Sequence, residues 1–333
     1  MASEVDMNPR VEDIRKWVPI RIYQRETSPL IDWCYMGEER FIDPFFDLTI
    51  PRLFQDPFNL LFRHQTPIDY LGEVAEEDPG IPPDGFIFHM SRCGSTLAAQ
   101  MYASLEQNIV LSEPLPIDSI LRANAVNPTV TDEQRRIWLQ WLVATFGRKR
   151  TGKENHYFIK FDSWSTLEMG LILEAFPDVP WLFLYRDPLE VIVSQLKERG
   201  VQMIPGAVGQ LLPGLGLMEI MQMPPEEYCA RVLAEFCETA LRHSNDSRGL
   251  LVNYTQMPGA VTSLISEHFK VSYSDEDVAK MNMAAGFNSK APREDFTPDS
   301  KAKQESASDA VRKMADTLAY PVYERLEAAR LGK

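Results

Sequence analysis

Phe86-Ile87-Phe88-His89-Met90-Ser91-Arg92-Cys93-Gly94-Ser95-Thr96-Leu97 is the stretch that decides how the rest of this chain is read. Phe86 to Met90 is a short, mostly apolar run of strand type. A turn of small residues follows, and Ser95 to Glu106 reads as a helix. At such a junction the unpaired N–H groups of the first helical turn point at one spot, and the helix dipole favours negative charge there. Gly94 lets the backbone approach an anion closely. Ser95 and Thr96 add hydroxyl donors. Arg92 adds a permanent cation whose planar fork suits phosphate or sulfate oxygens. The candidate anion loop is therefore Ser91, Arg92, Cys93, Gly94, Ser95 and Thr96. A plain βα turn that binds nothing is the competing reading, because small residues are common at such turns.

Outward from this loop, strands and helices alternate. Asn108 to Leu111, Tyr157 to Phe161, Trp181 to Tyr185 and Leu250 to Tyr254 read as strands. Thr131 to Gly147, Thr166 to Phe176 and Pro188 to Arg199 read as helices, the first with Thr131 as its cap and Glu133 close behind. That alternation predicts an α/β fold: a P-loop-like three-layer arrangement with a central, mostly parallel sheet and a helical C-terminal third. Residues 1–80 are rich in Trp, Phe, Pro and Asp and lack a long helical period. They are read as an irregular N-terminal extension packed on a main domain of residues 81–333, behind a Pro- and Gly-rich connector at 76–85.

A chain of 333 residues with 44% hydrophobic content can bury a full core. Its net charge of −14 argues against nucleic acid and anionic membrane as partners, so an anionic ligand needs a local cluster of donors. No apolar run long enough to span a bilayer is present, and Met1 to Arg10 has no apolar signal core. Cys34, Cys93, Cys229 and Cys237 form neither a CxxC pair nor a disulfide framework, which predicts a reduced, cytoplasmic protein. No Cys/His cluster suggests zinc, and no metal is expected.

The letters of the loop separate it from other anion loops. A Walker A loop needs Gly where His89 stands and Lys where Ser95 follows Gly94. A Cys-x5-Arg phosphatase loop needs Arg where Ala99 stands, and no G-x-S-x-G elbow occurs here. What remains resembles the 5′-phosphosulfate-binding loop of the sulfotransferase superfamily that uses 3′-phosphoadenosine 5′-phosphosulfate (PAPS). Arginine in place of lysine is similar to the tyrosylprotein and carbohydrate-type branches. A second strand–turn–helix, Trp181 to Ser194, has Asp187 as a cap and Pro188 at the first helical position. It resembles that family's 3′-phosphate motif, with Arg186 and Ser194 matching its binding residues. A surface arginine paired with Asp187 or Glu190 is the bland reading of Arg186.

The resemblance implies further site residues. Lys160 ends a predicted strand on the ligand side of the sheet, similar to a lysine near the donor in the tyrosylprotein branch. Lys290, in Asn288-Ser289-Lys290-Ala291-Pro292-Arg293, falls where the family often carries a basic, glycine-rich flap; this chain lacks the glycines. Glu113 follows a predicted strand 21 residues (113 − 92) beyond Arg92, one helix and one strand later, and is similar in placement to the catalytic glutamate of the tyrosylprotein and trehalose-type branches. As general base it would take the acceptor's proton. His89 is the rival base, with His156 and Asp118 behind it. The expected reaction is transfer of a sulfuryl group from PAPS to a hydroxyl or amine of a small-molecule or carbohydrate acceptor. Residues 201–224, apolar and rich in Gly, Pro and Met, are read as a lid over a partly apolar acceptor or as a plain packing segment. The alternatives are a nucleotide-dependent kinase on the same scaffold and a non-catalytic nucleotide-binding protein.

Overall fold

A computed structural model describes residues 9–23, 25, 28–288, 291–295 and 299–332. Its two larger sheets are built, among the described residues, from β1 (Trp17–Tyr23), β2 (Leu30–Tyr35), β3 (His64–Pro67), β4 (Gly85–His89), β5 (Asn108–Ser112), β6 (His156–Lys160), β7 (Trp181–Tyr185) and β8 (Gly249–Asn253), and a short antiparallel pair, Phe287–Asn288 with Ala291–Asp295, follows. The central sheet has the strand order β5-β6-β4-β7-β8. The fold is mixed α/β, as the alternation of the sequence predicts. The chain divides into two compact units: Met1–Asp84, Glu106–Ile159 and Leu171–Pro177 form the first, and Gly85–Leu105, Lys160–Gly170 and Asp178–Lys333 the second.

In the first unit, residues expected to be irregular form an antiparallel sheet of order β1-β2-β3. Trp17 faces Tyr35, Tyr23 faces Leu30, and Leu30 faces Pro67. The alternation that marks a half-exposed strand is broken in β1 by a register shift between Pro19 and Arg21, which hides it from a sequence reading. Trp33 is buried and donates its indole N–H to Thr66 Oγ1 at 2.9 Å. Arg148 Nη2 reaches the carbonyls of Ile14 (2.9 Å) and Trp17 (3.0 Å), tying the N-terminal stretch down; burial pushes this guanidinium's pKa down to about 10. Helix Asp132–Phe146 starts at a capping box: Thr131 Oγ1 accepts from Gln134 N, and Gln134 Oε1 accepts from Thr131 N. The reciprocal partner is Gln134, not the Glu133 to which the sequence pointed.

In the second unit, β4, β7 and β8 run parallel. Phe86 pairs with Trp181 and His89 with Leu184; Trp181 pairs with Gly249 and Tyr185 with Asn253. Every residue of β4 and β7 is buried, as expected for parallel strands covered on both faces. Glycine is required at 249, because a methyl group there would stand 2.3 Å from Trp181 Cζ2. Two strands lead through short turns into helices that start at the candidate motifs: β4 into Ser95–Ala103, and β7 into Pro188–Lys197, where Asp187 Oδ1 accepts from Glu190 N at 3.2 Å. The helix expected over Thr166–Phe176 begins instead as a 3-10 turn, Ser163–Glu168, and becomes α-helical at Met169–Ala175. The C-terminal third is mostly helical and ends in Tyr320–Arg330. From that helix Glu327 accepts hydrogen bonds from the Tyr185 hydroxyl and from Asn253 Nδ2 (3.0 Å) at the ends of β7 and β8. Among the described residues no helix is long and apolar enough to cross a membrane.

Candidate functional site

The loop after β4 is built from unusual backbone. Ser91, Arg92 and Gly94 have φ of 75°, 51° and 89°. Left-handed residues packed this densely turn successive N–H groups toward one concave spot, the arrangement that binds anions. Among the described residues the non-glycine positions with positive φ are Ser91, Arg92, Glu113 and Lys270, so three of the four are candidate site residues. Such conformations cost about 1–3 kcal/mol each and persist only where surrounding contacts enforce them. For Ser91 those contacts are visible: Gln195 Nε2 (2.9 Å) and Gln202 Nε2 (3.0 Å), both from buried glutamines, converge on its Oγ.

His89 braces the same loop. Its Nδ1 accepts from Ser91 N at 3.0 Å, so Nε2 carries the proton and donates to Phe161 O at 3.0 Å. Cys93 contributes backbone rather than thiol. Its Sγ is fully buried and donates to Leu184 O at 3.0 Å. Burial pushes the thiol up to about 11, against the opposing pull of the Ser95 and Met90 amides and of the charges on Lys160 and Arg186. That influence puts both cations within electrostatic reach of the loop. Lys160 is itself completely buried. Ser95 and Thr96 lie buried in the first turn of their helix.

The two arginines sit at opposite ends of helix Pro188–Lys197. Arg92 donates to Glu198 Oε2 (3.1 Å) and Glu198 O (2.6 Å) just past its end. Arg186 donates from Nε to Glu190 Oε2 (2.6 Å) in its first turn. The eight residue steps from Glu190 to Glu198 span about 12 Å of axis at helical rise. Ser194 lies one turn beyond Glu190, on the face that carries Arg186's partner.

Arg186 is almost completely buried and has further partners: Asp299 Oδ1 (2.9 Å), Ser300 Oγ (3.0 Å), and the ring of Tyr254, whose centroid lies 4.1 Å from its Cζ. Burial opposes its charge, but Asp299 and Glu190 outweigh that and hold its pKa above the ordinary value. The ring of Tyr254 also touches the loop. A methyl group at Gly94 would stand 2.9 Å from Tyr254 Cδ2. Loop and arginine, nearly a hundred residues apart in sequence, thus share one aromatic ring.

Glu113 belongs to the first unit, directly after β5, with φ of 57°. Asp47 is its electrostatic neighbour: burial raises the Asp47 carboxyl, and the charge of Glu113 raises it further. The other base candidates are engaged. His156 Nδ1 lies 3.3 Å from Asp84 Oδ2, and Asp118 is buried against Arg122. Lys290 lies outside the described residues.

The sequence reading missed Gln195, Gln202, Tyr254, Asp299, Ser300 and Lys303 around the loop and Arg186, and Asp47 beside Glu113. Glu190 alone had a local signal, four residues after Arg186 on one helix face. The others reach the site through tertiary contacts that no spacing announces.

No family model matches the chain, and no curated protein does. Among solved structures it is similar to the sulfotransferase of Alicyclobacillus acidocaldarius (14% identity, TM-score 0.44, 75% of this chain and 96% of that one). It is also similar to the sulfotransferase domain from the curacin biosynthetic pathway (15%, 0.41, 76% and 98%). A third is retinol dehydratase in complex with retinol and PAP, adenosine 3′,5′-bisphosphate (14%, 0.33, 80% and 86%). Overlaps of this size say nothing about chemistry, which rests on the chain's own residues.

Proposed function

We propose that this protein is a sulfotransferase that moves the sulfuryl group of PAPS to a hydroxyl or amine of a small, partly apolar molecule or a carbohydrate. The observation that carries the reading is the convergence of the Gly94 loop and Arg186 on Tyr254. An anion loop and a second, buried cation held to one ring suit a nucleotide with phosphates on two sides.

In this reading the amides of Ser91 to Thr96, with Arg92, Lys160 and the hydroxyls of Ser95 and Thr96, hold the 5′-phosphosulfate. Arg186 and Ser194 hold the 3′-phosphate. Glu113 accepts the acceptor's proton as the acceptor oxygen or nitrogen bonds to sulfur. The bond from sulfur to the bridging phosphate oxygen breaks with its electron pair, and the developing charge is offset by the loop donors. PAP leaves. Glu113 is preferred to His89 because both imidazole nitrogens are committed to backbone groups. A remote phosphate held by Arg186 supplies binding energy that orients the reacting end.

A partly apolar acceptor is supported by the segment at 201–224. Val201, Ile204, Leu217, Met218 and Met221 are exposed there, and a cavity of about 230 Å³ is lined by Leu211, Leu217, Ile220 and Tyr228. Gln202 and Gln195, which binds Gly200 N at 2.9 Å, tie the start of this segment to Ser91. A larger cavity of about 580 Å³ lies in the first unit, bounded by Tyr35, Arg40 and Asn59; no motif residue lines it, and it has no part in the proposal.

The test is transfer of label from PAPS carrying a labelled sulfuryl group into a cell extract, followed by isolation of the labelled product. Label in an extract component supports the proposal. With the isolated acceptor, Glu113→Gln should lose transfer and retain PAP binding; full activity of that variant overturns the base assignment. Absence of transfer to any component overturns the reaction.

A further inference from the structure

Asp299 occupies an anion position made by the groups around it. Arg186 Nη2 donates to its Oδ1 at 2.9 Å, and Lys303 Nζ to its Oδ2 at 2.7 Å. Ser300 Oγ accepts from the same Arg186 nitrogen at 3.0 Å. We infer that the Asp299 carboxylate is an internal stand-in for a phosphate at a site formed by Arg186, Ser300 and Lys303, and that a phosphate monoester must displace it to bind. The inference rests on the assignment of Arg186 to the ligand's 3′-phosphate.

Arg186 has two carboxylate partners, and exposure separates their roles. The Glu190 side chain is 10% exposed, lies in the helix that follows Arg186, and is held by Gln304 Nε2 at 3.3 Å. Asp299 is 49% exposed, while the Lys303 side chain it binds is 15% exposed. A carboxylate half in water loses little when it turns outward. The Lys303 ammonium, 15% exposed, and the buried Arg186 guanidinium, left with Glu190 alone among its two carboxylate partners, lose more. Asp299 is thus the partner that can leave, and Arg186 and Lys303 are the groups that need a replacement anion. A phosphate supplies more acceptor oxygens than a carboxylate and lets Ser300 donate rather than accept. Lys303 and Ser300 then become ligand-holding residues, and Asp299 an autoinhibitory contact that lowers apparent affinity by the fraction of molecules in which it is closed.

The experiment is isothermal titration of the full chain with PAP, using adenosine 5′-phosphate, which has no 3′-phosphate, as control. The variants are Asp299→Asn and Lys303→Gln, with melting curves to confirm that each is folded. Asp299→Asn should bind PAP about tenfold more tightly, with affinity for adenosine 5′-phosphate unchanged. Lys303→Gln should bind PAP more weakly than the wild type. If the wild type prefers PAP over adenosine 5′-phosphate but Asp299→Asn binds PAP equally or less well, the stand-in role is overturned and the functional proposal survives. If neither wild type nor variants distinguish the two nucleotides, the site at Arg186 holds no phosphate and both fall.

Discussion

Replacing Arg186 with glutamine separates its structural role from its role toward a ligand. Its side chain is 6% exposed and is bound to Glu190, itself 10% exposed. Removing one partner of a buried ion pair leaves the other charge uncompensated, at a cost of about 3–5 kcal/mol. Asp299 adds little to that loss, because half of it is in water. Glu190→Gln in the same chain removes the stranded charge, so the double variant should regain about 2 kcal/mol relative to Arg186→Gln. Urea unfolding followed by tryptophan fluorescence measures all four corners of this cycle; Trp181, beside Phe183 and Tyr185 in β7, is a buried reporter. Binding should behave differently. Each hydrogen bond from a charged donor to phosphate contributes about 1.5–3 kcal/mol, or roughly 10- to 150-fold in affinity. The double variant should therefore be restored in stability but not in PAP affinity. If the folded double variant binds PAP like the wild type, Arg186 holds no phosphate. If Arg186→Gln is as stable as the wild type, the buried pair is not what fixes this arginine.

Other outcomes follow from single contacts. Gly94→Ala forces a side chain into a left-handed position 2.9 Å from Tyr254 Cδ2; it should cost about 1–3 kcal/mol and weaken PAP binding, and an unchanged melting point with unchanged affinity would contradict the packing described. Burial opposes ionisation of Glu327, but hydrogen bonds from Arg330, Tyr185 and Asn253 outweigh it and hold the carboxyl at about 2, below its ordinary value of 4.5. Its contribution to stability is complete above about pH 4.5 and disappears as pH falls toward 2, so Glu327→Gln should lose less stability than the wild type across that window; parallel losses would refute the role. Burial holds the Cys93 thiol at about 11 and also raises Cys34, Cys229 and Cys237. The native protein at pH 8 should therefore react slowly with a disulfide reagent and rapidly once unfolded, and fast labelling of Cys93 in the native protein would show that its thiol is accessible.

The parallel core was legible because its strands are apolar throughout and its punctuation is local. Trp181–Tyr185 is bounded by Pro180 and Asp187-Pro188, and Gly94 ends the turn before Ser95. The antiparallel sheet of the first unit was not legible. Its third strand follows a gap that holds two short helices, and the β1 register shift breaks the two-residue period. At the candidate site, the residues the sequence proposed, Arg92, Gly94, Arg186 and Ser194, are those with strong local signatures in their strand–turn–helix motifs. The residues that hold them in place, Gln202 on Ser91 and Tyr254 on Arg186, were invisible because their partners lie more than sixty residues away. The positive φ at Glu113 had no sequence signal either, since glutamate is not a residue that favours that conformation.

The central claim is that one doubly phosphorylated adenosine satisfies both the Gly94 loop and Arg186. Its most direct test is the melting temperature of the wild-type protein with PAP, ATP or AMP at equal concentrations. A ligand present at a hundred times its dissociation constant adds about 2.7 kcal/mol to stability, so PAP should raise the melting temperature by several degrees while ATP and AMP leave it nearly unchanged. Equal shifts with all three nucleotides, or none with PAP, would contradict the account.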